Sequence, residues 1–284
     1  MKRLFIKLFI ALFFLTAINL NAQSTYTFTN AGQEGNTGPT QNQVNIAYSG
    51  TNLDGDVTVN TQGIQEWVVP TTGIYTIIGK GASGGYTPNA IGGQGRVITV
   101  DVSLTAGDVI EILVGQEGGR MHFSAYNYGY RYGYAGGGGG GTYIINKTTN
   151  TPILICGGGG GAATSLNYQT TNLNGSNASE FDNINGQDGI ESGYNWSGIG
   201  AGGTNGSGGQ ASSGGSGGGG YLSDGILGGF GGYQGLSYQN NGLGGANRNR
   251  PASYWFYTNV FLNVNGGFGG GAGAGTFANF EVDG

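Results

Sequence analysis

The sequence predicts a mainly β fold, an antiparallel sandwich or jelly roll, joined to a glycine-rich region of packed, extended helices. Three observations carry this. Residues 96–104 alternate, with Ile98, Val100, Val102 and Leu104 on one side and Thr99, Asp101 and Ser103 on the other, the period of a half-buried strand. Further short apolar runs are separated by Gly, Asn and Thr turns, and no helical periodicity stands out beyond the leader. From about residue 134 glycine tracts take over, in a chain with 65 glycines among 284 residues.

In chain order, Lys2, Arg3 and Lys7, an apolar stretch at 8–15 and the small residue Ala22 read as a signal peptide over residues 1–22. The apolar run is short for a bilayer span, and Gln23 rather than a cysteine follows the cut, so a secreted or surface-exposed chain is expected, with no membrane span in its mature part. Ten basic residues less the three in the leader leave seven against 15 acids, a formal balance of −8. That balance argues against nucleic acid as a partner, because phosphate binding needs a basic face. Cys156 is the only cysteine, which excludes an intrachain disulfide and a cysteine metal cluster.

Strands are expected at 26–29, 56–59, 65–69, 74–79, 96–104, 109–114, 142–146 and 152–156. Thr105-Ala106-Gly107-Asp108 reads as a turn, so 96–104 and 109–114 are expected to pair as a hairpin. This β domain is placed at 23–135 and the glycine-rich region, with interleaved strands, at 136–284.

The tracts, at 136–141, 157–161, 200–203, 214–220, 228–232, 242–245 and 266–275, lack the strict triplet of collagen. A flexible linker has little use for the interleaved Tyr221, Leu222, Ile226, Leu227, Phe230, Tyr233 and Phe268. Glycine also adopts the extended three-residue helix favoured by proline, while keeping an N–H for lateral bonding. A bundle of such helices would satisfy its backbone collectively, and a side chain in its interior would push neighbours apart.

A series of motifs now becomes specific by its order. Tyr26-Thr27-Phe28-Thr29, Gly38-Pro39-Thr40-Gln41, Ala47-Tyr48, Gly63-Ile64-Gln65 with Trp67, and Ile112-Leu113-Val114-Gly115-Gln116 come first. Residues 136–141 with Thr142-Tyr143-Ile144, and Pro152-Ile153-Leu154-Ile155 with 157–161, follow. The chain resembles the extracellular glycine-rich domain of the anaplastic lymphoma kinase and leukocyte tyrosine kinase receptors, from about Tyr26 to the C-terminus and most closely through Ala163. The resemblance implies a jelly roll like that of tumour necrosis factor, a bundle of polyglycine helices, and a role in binding small helical cytokines. Similar polyglycine bundles occur in phage tail-tip adhesins, so the bundle alone does not imply signalling.

Departures bear on what carries over. The family's cysteine pair is replaced by Ala31 and Val44, lost together as a disulfide would be. Residues 190–195 interrupt a long glycine run of the receptors. No membrane span or kinase domain follows within the sequence, so kinase activity does not transfer to it. The end at Gly284 suggests a fragment, or a last strand at 277–282.

Catalytic and ligand-binding patterns are sparse. Gly79-Lys80-Gly81-Ala82-Ser83-Gly84 matches a dinucleotide-binding spacing without the helix it requires. Ser83 and Ser216 sit in Gly-x-Ser-x-Gly contexts off any strand-to-helix elbow, with His122 as the one histidine available to a triad. The cluster Asp182, Asp188 and Glu191 is oxygen-rich but misses the EF-hand spacing, and an Asn/Asp/Gly turn explains it at lower cost. No cofactor, metal or catalytic residue is therefore assigned.

The binding candidate is a tyrosine ladder, Tyr126, Tyr128, Tyr130, Tyr132 and Tyr134, with Arg131 within it and Glu117 and Arg120 nearby. In a strand all five rings share a face suited to a glycan or a protein partner. The same face would also serve as a cover over the end of the β domain or the flank of the glycine bundle. Three readings remain: a non-enzymatic extracellular binding module, a structural matrix-like protein, and the ectodomain of a longer receptor or adhesin.

Overall fold

The computed structural model describes residues 24–87, 89–120, 131–166, 170–178, 186, 200–211, 215–228, 232–247, 264–273 and 277–279. The leader, Tyr126, Tyr128, Tyr130, His122, Asp182, Asp188 and Glu191 lie outside them. The fold is mainly β, with antiparallel sheets and few helices.

The five-stranded sheet runs in the order β1 (Val57–Thr61), β2 (Ile64–Val68), β5 (Val109–Leu113), β7 (Thr142–Asn146), β8 (Thr151–Cys156). One of its faces meets the two-stranded sheet of β3 (Gly73–Lys80) and β4 (Val97–Leu104). Trp67, Ile110, Ile112, Ile144, Leu154 and Cys156 from the large sheet pack there with Tyr75, Ile77, Ile98, Val100 and Val102. The alternation read from 96–104 is thus real, and its apolar side faces this core.

The expected hairpin does not form. The 105–108 turn exists, with Asp108 N–H donating to Thr105 O at 2.9 Å and Thr105 N–H to Asp108 Oδ2 at 3.0 Å. It carries the chain from one sheet to the other: β4 pairs with β3, and β5 pairs with β2 and β7. Turn chemistry fixed the reversal, while burial of β5 between two neighbours fixed the partners.

Two further expectations are corrected. Residues 26–29 form no strand; Tyr26 and Phe28 reach the core as extended chain, their rings 4.8 Å and 5.9 Å from that of Trp67. A helix, α1, spans Gln41–Tyr48. Its start is set by Thr40 N–H donating to Gln43 Oε1 at 2.8 Å, one half of a capping box. Only Val44 and Tyr48, four residues apart, are buried, too thin a stripe to read as periodicity. Gln41 then pairs like a piece of backbone with β1, accepting from Val59 N–H at 2.6 Å and donating to Val57 O at 2.9 Å. Ala31 and Val44 are both buried in the same core cluster.

The other face of the large sheet is covered as well. Ile64, Leu113, Tyr143 and Ile145 pack beneath Tyr238 and Phe268, with Tyr221 and Leu243 at the side, all four covering residues coming from beyond residue 200. Every residue of β7 is buried for that reason.

Among the described residues the glycine tracts form no strand, yet every amide of 136–141 is paired laterally. Gly136 N–H donates to Ala162 O, Gly137 to Gly119 O and Gly138 to Ala272 O, at 2.8, 3.1 and 2.8 Å. Gly139 then donates to Gly159 O, Gly140 to Gln116 O and Gly141 to Gly269 O, at 2.8, 2.9 and 2.9 Å. The recipient segment changes with each residue and recurs at every third. In return, Ala82 and Gly85 donate to Gly140 O and Gly137 O. A Cβ added at Gly139 or Gly140 would strike the carbonyls of Ala82 and Ser83, or of Phe268.

A third sheet has the order β10 (Thr170–Leu173), β9 (Ala163–Leu166), β6 (Arg131–Ala135), β11 (Phe277–Asn279). Of the alternative last strand at 277–282, residues 277–279 form β11, and 280–282 lie outside the described residues.

Candidate functional site

The tyrosine ladder ends in β6, which leads without a break into Gly136. Register places Tyr134 opposite Thr164 of β9, and Tyr132 opposite Ala278 of β11. Arg131 lies opposite Asn279. The last part of the ladder is therefore an interior strand of its sheet, paired on both edges.

Arg120, which precedes the ladder in the chain, is engaged by two neighbours. It pairs with Glu117, Nη2 to Oε2 at 2.5 Å, and its guanidinium stands 5.0 Å over the Tyr86 ring. Glu117 holds the guanidinium pKa above its ordinary value, first by hydrogen bonding and then by charge. The three residues make a charged aromatic corner.

A second cluster joins residues that no sequence spacing connects. Tyr238 stacks on Tyr221 and tilts against Tyr143, with ring centroids 5.5 Å and 5.4 Å apart. Its hydroxyl donates to Glu111 Oε2 at 2.6 Å. Burial, then the Glu111 carboxylate, pushes the Tyr238 phenol far above its usual range, so it is a permanent donor. Lys147 Nζ reaches Glu66 and Glu111 at 2.7 Å and 2.9 Å. Short polar contacts here fasten the glycine-rich part to the sheet; none is a poised acid–base pair.

The sequence patterns for other chemistry are used up structurally. The amides of Gly81, Ala82, Gly84 and Gly85 donate to Arg96, Gly140, Gly93 and Gly137 carbonyls at 2.7–2.9 Å, leaving none of these four for a phosphate. Ser216 Oγ donates to Gly232 O and accepts from Gly228 N–H. Cys156 is fully buried, and burial pushes its thiol up to about 11. Among the described residues no group of three or more His, Cys, Asp and Glu is arranged to hold a metal. No helix among them is long and apolar enough to cross a membrane.

One cleft, of about 240 Å³, lies between Asn36–Thr37 and the paired segments 233–236 and 243–246. On the two-stranded sheet, Ile74, Ile78 and Val97 are exposed on the outer face.

Comparison with known proteins finds a partial similarity to a receptor. The leukocyte tyrosine kinase receptor of Mus musculus is 36% identical over 105 residues. The similarity is partial. It covers 35% of this chain and 12% of the receptor, so what the two share is a segment of that protein. No protein-family model matches the chain.

Proposed function

We propose that this chain is an extracellular, non-catalytic binding and scaffold module of the leukocyte tyrosine kinase receptor type. The observation that carries this reading is the 105-residue similarity to that receptor, of which the aligned part is 12% and thus far from a whole kinase. In this reading the two packed sheets are a jelly roll like that of tumour necrosis factor. The glycine tracts are polyglycine II helices, which the three-residue recurrence of the hydrogen bonds from 136–141 supports. We retain the division at about residue 135 as one of composition, with β7 and β8 returning to the large sheet beyond it. The leader directs export, and the acidic mature chain is not a nucleic-acid binder.

The ladder is the proposed contact for a protein or glycan ligand, through Tyr126, Tyr128, Tyr130, Tyr132, Tyr134 and Arg131. Tyr132 and Tyr134 lie on β6, and the test below is directed at the part of the ladder that precedes it. A glycan and surface-protein array with wild type and a Tyr126→Ala/Tyr128→Ala/Tyr130→Ala variant tests this. Loss of array binding in a folded variant is expected; unchanged binding removes the ladder as the contact. Hydrogen exchange tests the scaffold: slow exchange at 136–141 is expected, and rapid exchange there would leave a linker.

A further inference from the structure

Asparagine is a labile residue, and a glycine after it leaves the next amide nitrogen unshielded by any Cβ, free to attack the asparagine Cγ. The sequence holds five such pairs: Asn174-Gly175, Asn185-Gly186, Asn205-Gly206, Asn241-Gly242 and Asn265-Gly266. In four of them the glycine nitrogen is occupied. Gly175 N–H donates to Ile91 O, Gly186 to Gly203 O, Gly242 to Ser237 O and Gly266 to Gly245 O, at 2.8, 2.7, 2.8 and 2.8 Å. Freeing any of these nitrogens means opening the local structure first. Asn174 and Asn265 are held by their side chains too, Oδ1 accepting from Ile91 N–H at 3.1 Å and from Asn247 N–H at 2.7 Å.

Asn205-Gly206 differs. The pair occupies the centre of a turn closed by Ser207 N–H donating to Thr204 O at 2.9 Å. Its φ angles are 51° and 81°, and positive φ at both central residues is the type I′ arrangement that Asn-Gly favours. Such a turn engages the N–H of its fourth residue and leaves that of its third unclaimed. Accordingly, Gly206 N–H donates to nothing among the described residues, although Gly206 O accepts from Leu222 N–H at 2.8 Å. Asn205 is also exposed, so water and hydroxide reach it.

We infer that Asn205 is a site of spontaneous modification, where the Gly206 nitrogen closes a succinimide ring that water opens to aspartate or isoaspartate. Hydroxide takes the Gly206 amide proton, the N–Cγ bond forms, the Cγ–Nδ2 bond breaks, and the side-chain nitrogen leaves as ammonia. Water at the Cγ carbonyl restores the original backbone with an aspartate. Water at the other ring carbonyl routes the backbone through the side chain and lengthens the turn. Either product adds a carboxylate to the surface of the glycine-rich part. The step needs no enzyme, metal or oxidant, and it is independent of what the chain binds.

The test incubates the folded mature chain at neutral and at mildly alkaline pH. Peptide mapping by mass spectrometry then follows the change from amide to acid at all five pairs, with aspartate and isoaspartate peptides separated by chromatography. Conversion at Asn205 is expected to be about tenfold or more faster than at the other four, because each of those must first break a hydrogen bond. The rate at Asn205 should rise with pH, as attack by a deprotonated nitrogen requires. In concentrated urea the five rates should converge. Equal rates in the folded chain, or a faster reaction at another pair, would overturn the inference. A lead for Asn205 that persists in urea would overturn it as well, by assigning the difference to neighbouring sequence instead of the free amide.

Discussion

Glu66 and Glu111 lie directly opposite each other on β2 and β5, and Lys147 bridges both carboxylates. Like charges at opposed positions of neighbouring strands destabilise a sheet, so this pair depends on its cation. Lys147→Ala is expected to cost about 0.5–1 kcal/mol, kept small because the lysine is 46% exposed. The loss should shrink in high salt and disappear when Glu66→Gln is added. Denaturant midpoints of the three variants read this directly, and additive losses would contradict it.

Tyr238 fastens the glycine-rich part through its ring and its hydroxyl, and the two are separable. Tyr238→Phe keeps the stack on Tyr221 and removes the bond to Glu111, for an expected cost of about 1–2 kcal/mol. Tyr238→Ala also empties a buried site and should cost about 3–5 kcal/mol. Urea unfolding followed by tyrosine fluorescence distinguishes them; equal costs would mean that the ring contributes nothing.

Stability should fall on the alkaline side. The Cys156 thiol, ordinarily near 9.0, is pushed up to about 11 by burial. Below pH 9 it is protonated in both states and has no effect. From about 9 to 11 the unfolded chain releases the proton and the folded one keeps it, so each step up in pH favours unfolding. Tyr48, Tyr143 and Tyr238 are shifted upward as well, chiefly by burial, and act in the same direction. Thermal midpoints across pH 8–11 should drop, and Cys156→Ala should flatten part of that slope.

Two glycines give a matched comparison. Gly73 has open space where a Cβ would go, so Gly73→Ala should be neutral or slightly stabilising. At Gly140 the same atom would run into the Phe268 carbonyl. Gly140→Ala is expected to cost about 3 kcal/mol or more, because the obstacle is backbone and cannot rotate away. Similar midpoints for both variants would refute the close packing.

What could be read from the sequence was the element, and what could not was the neighbour. The alternation of Ile98, Val100 and Val102 identified β4 and its buried side, because period two is a local property. Its pairing with β3 instead of β5 depends on which surfaces get buried, which no stretch of ten residues records. Helix α1 escaped because it relies on Gln43 as a cap and Gln41 as a substitute backbone, roles invisible to hydropathy. The Tyr238–Glu111 contact spans 127 positions, and neither residue carries a motif.

The stretch 136–141 passes its hydrogen bonds to three neighbours in strict rotation. Adding or deleting one glycine would hand every later amide to the wrong neighbour, and two would do the same. Only a change of three restores the rotation. Such tracts are therefore free to vary in length over evolution or by design in triplets, as a coding frame is, even though their sequence is one letter repeated.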